Sequence, residues 1–163
     1  MADVRAPIYA ALSRLGIGFE LFEHPAVHTA EEAALHWAAV PGAPVKNLFL
    51  RNKKGDRHYL VILGIEKQAD LRQLVKLIGD DRLSFGSPER LQKFLGVTPG
   101  SVSPFGLIHD SSHSVRVIVD SDLRDAERLI FHPNDNTASL TISGGDFVRF
   151  LDAQGNSVRW VKL

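Results

Sequence analysis

The stretch PVKNLFLRNKKGDRHYLVILG, from Pro44 to Gly64, limits the possible folds more than any other part of the chain. Two apolar runs flank a polar turn, the pattern of a sheet hairpin. Gly55 supplies the permissive turn position. Side chains alternate along a strand, so Asn47, Phe49 and Arg51 are expected opposite Leu48 and Leu50. Lys46 stands at the mouth of the first strand. A cation there is costly unless it has a partner or a task, or unless its stem carries the amine to water at the strand end.

Helical and strand patterns interleave around this hairpin. Val4 to Leu15 carries Val4, Ile8, Ala11, Leu12 and Leu15 at helical spacing, with Gly16 as a stop. GFELFEH alternates as a short strand. HTAEEAALHWA opens with Thr29 and has Glu32 three residues on, the capping-box spacing. DLRQLVKLIG is bracketed by Asp70 and Gly79, and SPERLQKFLG by Ser87 and Gly96, both as helices. VRVIVD, RLIFHP and TASLTIS read as strands. Ser143 caps a last helix through Leu151, and SVRWVKL closes as a strand. VTPGSVSPFGLIHD, rich in proline and glycine, reads as a loop. These elements predict one α/β domain over residues 1–163, a mixed α+β layer structure too irregular for a doubly wound parallel sheet.

Composition narrows the function. Nineteen Lys plus Arg balance 19 Asp plus Glu. A formal charge of zero argues against gripping nucleic acid by bulk electrostatics, while leaving room for local basic patches. Lys53, Lys54 and Arg57 cluster at the hairpin tip, and Lys67, Arg72 and Lys76 lie on or near a helix. The absence of Cys excludes a thiol nucleophile or a thiolate metal site and fits a reducing compartment. The polar N-terminal segment has no signal-peptide core, and no apolar run is long enough to cross a membrane. The chain is therefore expected in the cytoplasm.

Common catalytic signatures are missing. There is no phosphate-binding glycine loop and no G-x-S-x-G elbow. His24 with His28, and His109 with His113, have helix-like spacing but fall in turn-rich segments without a third ligand nearby, so no metal site is expected. Three features remain. Lys46 is one. GSVSP, Gly100 to Pro104, either turns backbone amides into a cleft that could hold an oxyanion or is a plain structural turn. FHPNDN, Phe131 to Asn136, either contributes a histidine and amides to a site or is an Asx-capped turn.

Taken in order, VKNLFLRN, RLSFGSPERLQKFLGVTPGSVSPFGLIHD and FHPNDNTASLTIS resemble the YbaK/ProX family of prolyl-tRNA synthetase-associated editing domains, from about Glu23 to Leu151. The likeness is greatest to the free-standing branch that removes alanine mischarged onto proline tRNA. The resemblance implies a curved, mixed parallel and antiparallel sheet flanked by helices, and hydrolysis of an aminoacyl ester on tRNA with no cofactor. It assigns catalysis to Lys46, Gly100, Ser101 and His132. It assigns the aminoacyl end to Asn47, Val102, Ser103, Pro104, Asn136 and His28. Phe22, His28, Leu35 and Trp37 are expected as cavity walls, and Lys53, Lys54 and Arg57 as the rim that meets tRNA. Implied partners are the acceptor end of proline tRNA and prolyl-tRNA synthetase. Cysteine, serine or another small amino acid as the group removed, and a binding module without turnover, are the alternatives.

Overall fold

Helices and strands interleave along the described backbone. The computed structural model describes residues 3–163. The elements run α1 (Ala6–Arg14), β1 (Glu20–Glu23), α2 (Ala30–Trp37), β2 (Ala43–Asn52), β3 (His58–Gly64), α3 (Leu71–Ile78), β4 (Leu83–Phe85) and α4 (Pro88–Leu95). A 3-10 helix (Pro104–His109) precedes β5 (Val115–Asp120), and a 3-10 turn (Ser121–Leu123) precedes β6 (Arg128–Phe131). The chain then forms β7 (Ala138–Ser143), α5 (Gly144–Gln154) and β8 (Val158–Val161).

Local chemistry accounts for most boundaries. Thr29, Asp70, Ser87 and Ser143 each accept a backbone N–H of the following helix through their side chains. Gly79, Gly96 and Gly155 end three helices in the left-handed conformation. Glu32 completes its cap one residue early, accepting the His28 amide at 3.0 Å. Three expectations need correction. The first helix starts at Ala6, with Pro7 in its first turn, and Val4 lies outside it at 41% exposure. The segment read as loop winds into the 3-10 helix from Pro104, with Ser103 as cap. Strand β4 was not anticipated, since three residues carry no periodic signal.

The eight strands form one mixed sheet in the order β1-β7-β6-β2-β3-β5-β8, with β4 pairing β2. Pairs β2–β3, β2–β4, β6–β7 and β1–β7 are antiparallel. Pairs β2–β6, β3–β5 and β5–β8 are parallel. Strand β2 is the pivot. One of its edges pairs with β3 from Val45 to Arg51. The other pairs with β6 only at Ala43 and Pro44, and with β4 only from Leu50 to Asn52. Between those contacts, Val45 to Leu48 have no strand neighbour on that edge.

Both faces of the sheet are covered. On the first, Val45, Phe49, Leu60, Val117, Phe131 and Ile142 pack against α1, α4, α5 and the 3-10 helix in one large core. The second face carries two smaller clusters. Leu50, Tyr59, Val61, Leu63 and Ile118 lie under Leu74 of α3. Ile130 lies under Ala33 and Trp37 of α2, with Val27 and Val40 beside them.

Candidate active site

A cavity of about 260 Å³ opens where β2 parts from β6. The parallel register pairs Ala43 with Leu129 and Pro44 with Ile130. Continued two residues, it would set Lys46 across from His132, but the strands have splayed by then and the cavity occupies the gap. Val45, Lys46 and Asn47 therefore all line it, although Lys46 points to the opposite face from its neighbours. A crevice where neighbouring strands diverge is a recurrent place for ligands in α/β folds.

The loop GSVSP closes one end, bringing Gly100 and Val102 to the wall. Gly100 has φ +88° and open space where a Cβ would be, so glycine is needed there for backbone conformation and not for room. Helix α2 and the turn before it supply Val27, His28, Thr29, Ala33 and Trp37, and Ile65 closes the far side.

The polar groups are few and defined. Lys46 is half-buried, and none of the ion pairs among the described residues involves it. Asn47 Oδ1 is buried without a hydrogen-bond partner among the described residues. His132 Nδ1 lies 3.0 Å from the Ala138 carbonyl. A carbonyl only accepts, so Nδ1 carries the proton and Nε2 is left as an acceptor. Burial lowers the His132 pKa below its ordinary 6.5, and nearby His24 adds to the effect, so the ring is neutral at pH 7.

The expected residues divide into wall and support. Lys46, Asn47, Gly100, Val102, His132 and His28 share the cavity. Ser101, Ser103, Pro104 and Asn136 stand behind it. The Ser101 amide donates to the Thr98 carbonyl at 3.1 Å, which commits it to a turn. Ser103 is fully buried, donates to Asn134 Oδ1 at 2.7 Å and accepts the Phe105 amide. Pro104 is buried at the start of the 3-10 helix. Asn136 Nδ2 donates to the Val27 carbonyl at 2.8 Å, fastening the turn that carries Val27 and His28. Arg5 holds the same segment from outside through Asp135 at 3.2 Å.

Of the four expected walls, Trp37 and His28 are in place. Phe22 packs on the α2 cluster behind them. Leu35 is corrected: at 79% exposure it faces solvent, because α2 buries the stripe of Ala33 and Trp37 instead. Lys53, Lys54 and Arg57 lie elsewhere. They sit past the far end of β2, and six strand steps take the backbone from Lys46 to Asn52, about 20 Å. They do not rim the cavity. Lys54 pairs there with Asp56, and Arg57 with Asp80.

Sequence reasoning missed Val27, Thr29, Ala33, Val45 and Ile65. Two of them had a readable signal. Ala33 and Trp37 are four apart on one helix face, and the hairpin register that pairs Val45 with Gly64 puts Ile65 beside Pro44, where its amide donates to the Pro44 carbonyl at 3.0 Å.

A family model described as the aminoacyl-tRNA editing domain matches residues 24–150. The chain is 39% identical over 161 residues to the prolyl-tRNA editing protein ProX of Acetoanaerobium sticklandii, covering 99% of this chain and 98% of that protein. It is 33% identical over 146 residues to the multifunctional Ser/Thr-tRNA deacylase ProXp-y of Escherichia coli, covering 87% of this chain and 84% of the relative. A solved structure described as a candidate trans-editing enzyme for prolyl-tRNA synthetase superposes with a TM-score of 0.74 at 25% identity, over 100% of this chain and 99% of that one.

Proposed function

The chain belongs to the aminoacyl-tRNA editing domain family and is an aminoacyl-tRNA deacylase, and on that premise we propose that it acts in trans to remove alanine esterified to proline tRNA. The observation that carries this reading is the convergence of Lys46, Asn47, His132 and the Gly100–Val102 bend on one small, largely apolar cavity. The ester lies in the gap between β2 and β6. A water oxygen attacks the ester carbonyl carbon, and the tetrahedral oxyanion is held by the Gly100 and Val102 amides on either side of the committed Ser101 amide, a role preorganised donors fill well. The C–O bond to the ribose then breaks, the leaving ribose oxygen takes the proton that the attacking water gave up, and free amino acid and tRNA leave. Lys46 supplies positive charge beside the ester or the terminal phosphate. Neutral His132 offers Nε2 as an acceptor, and the neighbouring ribose hydroxyl assists the water. No protein nucleophile is needed.

Selection works by exclusion. On this reading Val27, Ala33, Trp37, Ile65 and Val102 form the wall that admits a methyl side chain and rejects a pyrrolidine ring. A binding pocket gains only about 1–3 kcal/mol from one methylene, so a proline-activating site admits alanine and a second sieve removes it. Serine is the second reading, favoured by the Escherichia coli relative and by Thr29 and Asn47 on the wall. Deacylation of alanine-, serine-, cysteine- and proline-charged tRNA, with Lys46→Ala in parallel, decides between them. Loss of alanine alone, abolished by the substitution, is the expected result. Faster loss of serine moves the assignment to the second reading, and binding without turnover of any ester overturns both.

A further inference from the structure

Apart from the reacting groups, one buried hydroxyl ties together three parts of the cavity wall. Ser139 of β7 is fully buried. Its Oγ lies 2.8 Å from Trp37 Nε1 and 2.9 Å from His24 Nε2. An indole N–H only donates, so Oγ accepts from Trp37, and its single proton is left for His24 Nε2. His24 Nδ1 is 2.9 Å from the Pro25 carbonyl, which only accepts, so Nδ1 carries the ring proton. The result is a directed chain from indole to hydroxyl to imidazole to carbonyl, with every proton assigned.

This chain meets the site at several points. Trp37 lines the cavity, and its ring lies 5.8 Å from that of His132. His24 stacks on His36 of α2 at 4.8 Å, with the rings 16° from parallel. It also begins the turn that carries Val27 and His28 to the wall. Helix α2 is only eight residues long, too short to hold its place by helical propensity alone. It rests on the smallest of the three apolar clusters. Its position therefore depends on tertiary ties, and Ser139 is a buried polar one.

We propose that Ser139 is a positioning residue that sets the size limit of the aminoacyl cavity by pinning Trp37 and His24 to β7. The inference rests on the deacylase reading of the site. Without the hydroxyl, the Trp37 N–H and His24 Nε2 lose their shared partner at a buried position. A buried polar group left unpaired is costly, so the indole turns toward water and the wall it forms gives way. A sieve that works by steric clash is only as selective as its wall is stiff.

The test compares Ser139→Ala, Trp37→Phe and the double variant with the unaltered protein, on tRNA charged with alanine and with bulkier threonine. Ser139→Ala is expected to lower the ratio of kcat/KM for alanine over threonine about tenfold, the loss that follows from one unpaired buried group. Trp37→Phe keeps a ring but removes the N–H, and should give a similar change. The double variant should be no worse than Ser139→Ala, because that substitution already removes the indole bond that Trp37→Phe cuts. A merely structural role lowers kcat on both esters together and leaves the ratio unchanged; that outcome, or effects that multiply, overturns the inference alone. Should Ser139→Ala fail to fold, Ser139→Cys, whose thiol is a weak donor and acceptor, carries the same decision. An unaltered protein inert toward every ester overturns the deacylation reading itself, and this inference with it.

Discussion

The two faces of the sheet are built differently. On the first, apolar side chains of β2, β3, β5, β6 and β7 pack continuously against helices. Aromatic rings interlock there: Phe105 meets Phe131 at 5.5 Å and Phe150 at 5.1 Å, both edge-on. On the second, the core is two islands, one under α3 and one under α2, with Lys46 on the strand between them. The lesson is a division of labour. The sealed face supplies the burial that makes folding favourable, and the divided face accepts a smaller core and keeps a cavity.

The contrast can be broken most decisively on the sealed face. Phe150→Ala should cost about 3–5 kcal/mol, the usual loss for a buried phenylalanine, measured by urea unfolding. A loss under about 1 kcal/mol would mean that this face is not the main source of stability.

Lys46→Ala addresses the divided face. Deacylation in single turnover should fall on the order of 10²–10³-fold, as when a transition-state charge loses its partner. The unfolding midpoint should hardly move, since the amine makes no ion pair among the described residues. A large drop in stability with retained turnover would reverse the assignment. Ala33→Leu fills the cavity from α2. It should reduce kcat/KM for the alanine ester about tenfold while stability changes by less than about 1 kcal/mol, because the added carbons enter empty space.

Acidification separates the faces more gently. Burial lowers the His132 pKa from 6.5. The unfolded chain therefore takes up the proton first, and stability declines as pH falls from 6.5 toward the folded value, then levels off. Above 6.5 the full contribution is present. The acid limb of kcat/KM should accordingly lie below pH 6.5, and His132→Gln should remove both that limb and its share of the stability slope. A limb centred above 6.5 would exclude neutral His132 as the group responsible.

The smallest effect is expected at the hairpin tip. Lys53→Ala with Lys54→Ala should change kcat/KM by no more than about twofold at physiological salt, given the distance from the cavity. A larger loss with a reduced salt dependence would show that the body of the tRNA reaches that far.

Much of the fold was legible because its causes are local. Thr29, Asp70, Ser87 and Ser143 act within three residues of their own positions, and the left-handed glycines stop the helices they follow. The hairpin from Pro44 to Gly64 declared its own register by alternation. Strand β4 was illegible because its pairing with β2 is a tertiary event, and the 3-10 helix was hidden behind the prolines and glycines that also mark loops. Within the site, Lys46, His132 and the Gly100 bend were marked by residue type and order. Leu35 was misread because the buried face of α2 depends on how the helix lies over Ile130, a choice its short pattern leaves open.

The sequence by itself determined most of the strands and helices, where the capped helices start and stop, and which family pattern their chemistry follows. Those properties come from backbone preference and side chains a few residues apart. Only the tertiary structure decided that residues 27–29, 33, 37, 45–47, 65, 100, 102 and 132 enclose one space. That outcome rests on β6 leaving β2 after two paired residues, and the parting of two strands is set by everything packed on both sides of them, which no local stretch of the chain encodes.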